Sequence, residues 1–206
     1  SPCRVVERPI VTLTPSDARH LLRRTGYGGL PNEVDELVGK TRAQAVDITV
    51  NGLGYTSHAG VPAAVEGSSW SQRRDMQRWW VDQMAYSPAP IVERLVYFWH
   101  SHFACTAERV RDWRNMRDQH AQFRQYGLGT FKPLLNAISF GAAMLIDLDN
   151  ASNVAGDEQE NFARELMELY TIGNGMFSED EVISMARAWT GPVSYTHLRA
   201  HETSPH

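Results

Sequence analysis

The chain has 206 residues, of which 42% are hydrophobic and 21% are charged, and its formal net charge is −4. This length suits one domain or a piece of a larger one, and the composition is that of a soluble globular protein. Because nucleic-acid-binding modules usually carry a basic face, the acidic balance argues against a general nucleic-acid partner.

Short sequence features support the same class of protein. The pair Arg23-Arg24 is too short to create a nucleic-acid-binding face, and no run approaches the roughly 20 apolar residues of a membrane span. Two cysteines, Cys3 and Cys105, cannot build a disulfide framework or a zinc cluster from thiols alone. The chain begins without an initiator methionine or a signal-peptide core, so we expect any targeting segment to lie upstream of it.

The N-terminal part predicts three short helices. Thr14 is a suitable N-cap, Pro15 fits the first turn because its missing N–H costs nothing there, and Asp17 complements the helix dipole. Gly26 is expected to end this helix. Two further short helices are expected at residues 31–38 and 41–50.

The middle of the chain alternates apolar helical segments with polar breaks. Residues 51–69 are rich in Gly, Ser, Pro and Ala, which predicts a long loop in which His58 is solvated. A helix is then expected from Ser69 or Ser71 to about residue 87. Further helices are expected at 91–103, 112–126, 131–140 and 142–148, with a polar segment at 105–111.

The segment 161–173 is the central element that we expect in this chain. A polar loop at 147–156 leads into it, and Gly173 is expected to end it. Ser178 and Glu181 then form a capping box for a last helix that runs to about residue 190. Since no period-two run of β-branched residues is long enough for a strand, the sequence predicts an all-α, irregular multi-helix bundle without internal repeats.

The central helix is expected to have two distinct faces. Its polar arc holds Asn161, Arg164, Glu165 and Glu168. Its apolar arc holds Phe162, Leu166, Leu169 and Tyr170. One interpretation is a solvated face with an ion pair between Arg164 and Glu168. The other is the wall of a cleft, in which Glu165 and Glu168 act with Asn161 as metal ligands or as a general acid/base pair.

His100 and His102 are candidate metal ligands, but their spacing is unfavourable on a helix. Residues two apart point about 200° apart, so the two rings cannot bind one ion if the helix continues through Phe103. On the apolar face, His102 is expected to be a buried, hydrogen-bonded histidine. His100 shares a face with Glu93 and Tyr97 and is the better surface or cleft candidate. A helix end near His100 would let both rings reach Glu165 and Glu168, and such a site would suit zinc, iron or manganese.

Other chemical motifs are weaker. Cys105 follows His102 by three residues, but a lone cysteine near a histidine is more often incidental, and no nucleophile-elbow serine is present. Asp147, Asp149 and Asn150 alternate like a calcium loop without the spaced glycine and terminal glutamate of an EF-hand. We interpret them first as helix caps and second as residues lining a site.

Three motifs together resemble one bacterial family. The sequences are FWHSHF at 98–103, ENFARELMEL at 160–169 and ARAWTG at 186–191, and the segments 116–129 and 143–150 fit between them in the same order. This pattern resembles the family known as domain of unknown function 1800, over residues 20 to 191. The chain departs from the family where Gln159 replaces an asparagine and where Gly141-Ala142 replaces Asp-Pro.

The resemblance implies an exported bacterial protein, often encoded beside a sulfatase-like partner, without an established activity. The family pattern would continue with tryptophan after Gly191, whereas residues 192–206 resemble translated sequencing-adapter read-through. The histidines of that tail therefore do not indicate a metal site. We expect an unstructured segment at 1–13, a helical domain at 14–191 and a non-native tail at 192–206, so that the chain is a fragment of a larger helical domain.

Two hypotheses for function remain open from the sequence. In the first, the protein is a metal-assisted hydrolase with a divalent ion, in which His100, His102, Glu165 and Glu168 are ligands or acid/base groups and Asn161 and Arg164 orient them. In the second, it is a non-catalytic helical scaffold or interaction protein, and the same side chains form a polar network that fixes helix packing.

Overall fold

The computed structural model describes residues 11–50 and 70–190, with side chains excluded at 70–72. Its helices are α1 Pro15–Thr25, α2 Pro31–Leu37, α3 Arg42–Val50, α4 Trp70–Tyr86, α5 Pro90–His102, α6 Ala107–Val110, α7 Trp113–Tyr126, α8 Phe131–Ser139, α9 Ala142–Asp147, α10 Asn161–Glu168 and α11 Glu179–Ala188. Within these ranges β structure is limited to two isolated bridges, so the predicted all-α class is confirmed. Across the same residues, no helix has both the length and the apolar character needed to cross a membrane.

Local capping residues define the ends of several helices as predicted. In α1, the Thr14 hydroxyl accepts a hydrogen bond from the Asp17 N–H, and the Asp17 carboxylate accepts one from the Thr14 N–H. Ser178 and Glu181 form the same reciprocal pair at the start of α11. Each capping box satisfies main-chain donors that the first helical turn leaves unpaired. The predicted loop at 51–69, including His58, and the tail after residue 190 lie outside the described residues.

Two local predictions were wrong. The polar segment at 105–111 contains the short helix α6, whose entry is fixed by Asp147, which accepts hydrogen bonds from the N–H and the hydroxyl of Thr106. The central helix, α10, ends at Glu168 rather than near residue 173. Its last turn unwinds because the N–H groups of Ile172 and Gly173 both donate to the Met167 carbonyl, and Gly173 has a φ of 92°.

The helices group into two compact units. The first contains the described part of Ser1–Thr56 together with Trp80–Leu95. In it, helices α1, α2 and α3 surround a small core of Leu13, Ala18, Val34, Leu37 and Ala45. Leu13 thus belongs to this core, although we expected residues 1–13 to be unstructured.

The second unit contains the described parts of Ser57–Trp79 and Val96–His206. Its aromatic centre is Phe103, which is fully buried and stacks on Phe123 and Phe131 with ring centroids 6.3 and 6.2 Å away. Trp99 donates from its indole N–H to the Gly127 carbonyl at 2.7 Å, and this contact needs the glycine because a Cβ there would lie 2.5 Å from the indole ring. The C-terminal half of α5 is therefore held against the end of α7.

Two buried asparagines connect the segment after α9 with α10 and α11. The Asn153 amide donates to the Asn150 side chain and to the Ala186 carbonyl, both at 3.0 Å, and its oxygen accepts from the Gln159 N–H at 3.0 Å. Asn150 and Asn153 are 0% and 1% exposed. Because Asn153 is fully buried and its amide binds both the segment before α10 and a carbonyl of α11, it specifies how the chain enters α10.

Replacing Asn153 with alanine is expected to lower the free energy of unfolding by about 2–3 kcal/mol, because it removes the hydrogen-bond partner of the Gln159 N–H and of the buried Asn150 side chain. Urea unfolding followed by circular dichroism measures this change. The exposed Asn174→Ala variant is the matched control and should stay within about 0.5 kcal/mol of the parent. Equal stabilities for the two variants would contradict the role assigned to Asn153.

Candidate functional site

The polar residues at the start of α10 hold that helix to its neighbours. Asn161 donates from its amide to the Leu148 carbonyl at 3.1 Å. The Arg164 guanidinium binds Glu160 at 3.1 Å and both carboxylate oxygens of Glu179 at 2.6 and 2.8 Å. The prediction of an ion pair between Arg164 and Glu168 is therefore wrong. The guanidinium is instead bound by both carboxylate oxygens of Glu179 in α11. The hydrogen bond from Arg164 is the main cause that lowers the pKa of Glu179.

The rest of α10 follows the expected division of faces with one exception. Phe162 and Leu166 are buried, and Glu165 and Glu168 are half-buried. Leu169, which we placed on the apolar face, is 59% exposed. The reason is the early end of the helix, which turns Tyr170 inward and leaves Leu169 on the surface.

Tyr170 marks the place where several candidate groups come together. Its pKa is raised to about 12, mainly by burial and further by the nearby Cys105, Glu165 and Asp147. Glu165 thus acts electrostatically on the phenol. Asp147 also accepts hydrogen bonds from the N–H and the hydroxyl of Thr106. The structure brings Glu165 into a cluster that the sequence did not predict as a unit, and we name Cys105, Asp147, Glu165 and Tyr170 the tyrosine cluster.

His102 lies beside the tyrosine cluster and is bound to its main chain. The Nε2 atom of His102 is 3.1 Å from the Tyr170 carbonyl oxygen. The ring also packs edge-on against Phe103 and Tyr170, at centroid distances of 4.7 and 6.0 Å. When Nε2 donates its proton to this carbonyl, only Nδ1 remains as an acceptor or metal ligand. The ring is hydrogen-bonded, as the apolar-face interpretation predicted, but it is half-buried and not buried.

His100 has different neighbours from His102. Helix α5 runs through His102, so the alternative in which a helix end near His100 releases both rings is wrong. The His100 ring packs edge-on against Phe123 at 6.2 Å and lies close enough to His120 to affect its pKa. Glu93, on the same helical face, is 1% exposed, so this part of the face is buried.

A buried cluster of basic residues on α7 was missed by the sequence analysis. His120 and Arg124 are 3% and 4% exposed, and both contact Trp79, with the Arg124 guanidinium 4.9 Å from the indole centroid. We name His100, His120, Arg124 and Trp79 the histidine-arginine cluster. His120 and Arg124 are one helical turn apart, on the side of α7 that also buries Phe123. In the sequence, this spacing was the signal that the two side chains share a face.

Burial sets the protonation of both histidines in this cluster. It lowers the pKa of His100 and lowers that of His120 well below 6.5, where the positive charge of Arg124 adds to the effect. Both rings are therefore neutral at pH 7. Each neutral ring can donate one hydrogen bond and accept one. The positive charge of the cluster is that of Arg124.

Cys105 is held as a thiol. Burial raises its pKa to about 12, against the opposing effect of the Gln119 amide, which donates to Sγ at 3.0 Å. The nearby Asp147 raises the pKa further. Because the thiolate is the reactive form, Cys105 does not have the properties of a nucleophile.

The candidate metal ligands do not converge. Among residues 11–50 and 70–190, no three side chains of His, Cys, Asp or Glu lie close enough together to hold a metal ion. His100 lies in the histidine-arginine cluster, His102 faces the Tyr170 carbonyl, and Glu165 faces the Tyr170 side chain. These donors do not fit a three-ligand zinc, iron or manganese site.

Comparison with known proteins gives a family. A family model described as protein of unknown function (DUF1800) matches residues 20–204. The matched range includes most of the segment 192–206, whose assignment to adapter read-through stays a prediction. Neither curated proteins nor solved structures gave a match.

The stability of the fold is expected to fall as the pH is lowered below about 6.5, the ordinary histidine value. The folded pKa values of His100 and His120 are depressed, so the unfolded chain takes up protons first and stability is greatest above this pH. Urea unfolding between about pH 7.5 and about pH 5.5 measures the slope. His120→Gln should flatten it, whereas the exposed control His20→Gln should not; an unchanged slope in His120→Gln would disprove the assignment.

Cys105 is expected to resist alkylation in the folded protein. With a pKa of about 12, less than about one thiol in 10,000 is ionised at neutral pH. A Cys3→Ser variant leaves Cys105 as the one remaining thiol, and iodoacetamide labelling followed by mass spectrometry measures its reactivity. Full labelling should require urea. Rapid labelling of the native protein would show that Cys105 is an accessible thiolate.

Proposed function

We propose, for a chain that belongs to the DUF1800 family of proteins of unknown function, that the described region is a non-catalytic helical scaffold. In this proposal the polar residues of the FWHSHF and ENFARELMEL motifs position helices for packing. The observation that carries it is the use of these side chains: His102 contacts the Tyr170 carbonyl and Asn161 binds the Leu148 carbonyl. An exported location and a sulfatase-like partner, which the resemblance implies, are further parts of the proposal.

The ion pairs of Arg164 support the same function. The guanidinium connects Glu160, which precedes α10, with Glu179 in the first turn of α11. Beneath this pair, the apolar contact of Ala163 with Val182 and Ala186 closes the interface between the two helices. Partly exposed ion pairs contribute little to stability, so the apolar contact supplies most of the free energy and Arg164 selects the relative orientation of the helices.

A hydrolase is the second candidate, because Glu165, Cys105 and Asp147 each act electrostatically on Tyr170 and raise its pKa. A half-buried carboxylate among other titratable groups is a common arrangement for general acid/base catalysis. In the metal-assisted form of this hypothesis, the ion would need ligands from outside the described ranges. The first candidate is preferred because it accounts for His102, Asn161 and Arg164 together.

Metal content and thermal stability distinguish the two candidates. The scaffold proposal expects no stoichiometric metal by elemental analysis of the purified chain. It also expects His102→Ala and Asn161→Ala to lower the free energy of unfolding by about 0.5–1.5 kcal/mol each, the net contribution of a hydrogen bond, because both bonds are partly buried. The exposed Ser101→Ala variant on α5 is the control and should be near neutral.

The opposite pattern would support the hydrolase. Stoichiometric metal that is lost in Glu165→Ala and His100→Ala, with stability unchanged in His102→Ala and Asn161→Ala, contradicts the scaffold proposal. Hydrolysis of ester or phosphoester model substrates that is abolished by the isosteric Glu165→Gln, without a change in melting temperature, also contradicts it.

A further inference from the structure

Helix α1 has an apolar face and a basic face. Ala18 is fully buried, and Leu21 and Leu22 pack against the core of the first unit. At 100° per residue, the four basic residues Arg19, His20, Arg23 and Arg24 fall within an arc of about 140° on the other side. All four are exposed. The helix is thus fixed in the unit by one face and presents a positive surface with the other.

Asp17, the acidic residue of α1, is engaged by the helix cap. The Asp17 carboxylate accepts hydrogen bonds from the Thr14 N–H and hydroxyl, at 3.0 and 2.6 Å. Among the residues that the structure describes, Arg19, Arg23 and Arg24 form no ion pair. By contrast, Arg73, Arg109, Arg114, Arg117 and Arg164 each contact a carboxylate.

The helix dipole explains only part of this pattern. Arg23 and Arg24 lie in the last turn, where a positive charge is favourable. Arg19 and His20 lie before that turn and gain little from the dipole, which acts within the terminal turns. The basic face is therefore more extensive than capping of the helix requires.

We propose that the basic face of α1, formed by Arg19, His20, Arg23 and Arg24, docks an acidic polypeptide segment of a partner protein. Guanidinium groups match carboxylates in bidentate geometry, and Arg19 and Arg23 are one turn apart, as are glutamates at i and i+4 of a partner helix. The proposal depends on α1 alone and goes beyond the scaffold function, so it holds whether the clusters in the second unit are structural or catalytic.

Charge and burial favour a polypeptide over other anionic partners. A basic helix that lies on a membrane inserts its apolar face, but Ala18, Leu21 and Leu22 are packed in the core of the unit. The chain has a net charge of −4 with these three arginines included, so a nucleic acid that extends beyond the face would be repelled. A short acidic segment contacts only the local face and avoids most of this repulsion, because exposed charges are screened beyond about 10 Å.

The probe is a short fluorescein-labelled peptide of repeating Glu-Glu-Ala-Ala, titrated with the full chain by fluorescence anisotropy at about 0.1 M salt. Binding is expected, and Arg19→Gln, Arg23→Gln and Arg24→Gln combined should raise the Kd by about tenfold or more. The corresponding triple lysine variant keeps the charge but loses the bidentate geometry, so its Kd should lie between the values of the parent and the glutamine variant. Circular dichroism confirms that each variant is folded.

The matched control removes the same charge elsewhere. Arg74→Gln, Arg78→Gln and Arg187→Gln combined replace three exposed arginines and should change the Kd by less than about twofold. Equal weakening by both triple variants, or equal binding of a Gln-Gln-Ala-Ala peptide, overturns the proposal. Tighter binding of phosphatidylserine vesicles or duplex DNA than of the acidic peptide, lost in the α1 variant, also overturns it in favour of those partners.

Discussion

The buried amide of Asn153 is the contact on which the arrangement of the C-terminal helices depends. It accepts from the Gln159 N–H just before α10 and donates to the Ala186 carbonyl in α11. A side chain must both donate and accept to serve these two main-chain groups, and it must be short enough to be fully buried. With the entry of α10 fixed in this way, Phe162 and Ala163 face inward and Arg164 reaches Glu179.

The FWHSHF motif performs two packing tasks because it is helical. Phe103 and His102 contact the end of the α10 segment through Tyr170, while His100 contacts Phe123 and the histidine-arginine cluster. A contiguous motif would suggest one chemical site, but two residues along a helix turn the side chain through about 200°. The two histidines therefore stabilise different interfaces of the same helix.

The fold class and most helix ends could be predicted because capping residues and apolar spacing act over a few residues. Thr14 and Ser178 are examples, since each satisfies donors within its own first turn. The exposure of Leu169 could not be predicted in this way, because it depends on how Tyr170 is buried against Phe103. The candidate site was less predictable still: helical periodicity places His120 on a face, but only the packed neighbours decide that the face is buried.

The causes of the pKa shifts bear on whether the clusters are catalytic. Burial is the largest cause for His100, His120, Cys105 and Tyr170, and in each case it favours the neutral form. A catalytic acid, base or nucleophile needs a pKa near the working pH, whether burial or specific partners set it. Groups whose pKa is shifted away from neutral pH by burial serve better as fixed hydrogen-bond donors and acceptors within a packed interior. This common cause favours a structural role for both clusters.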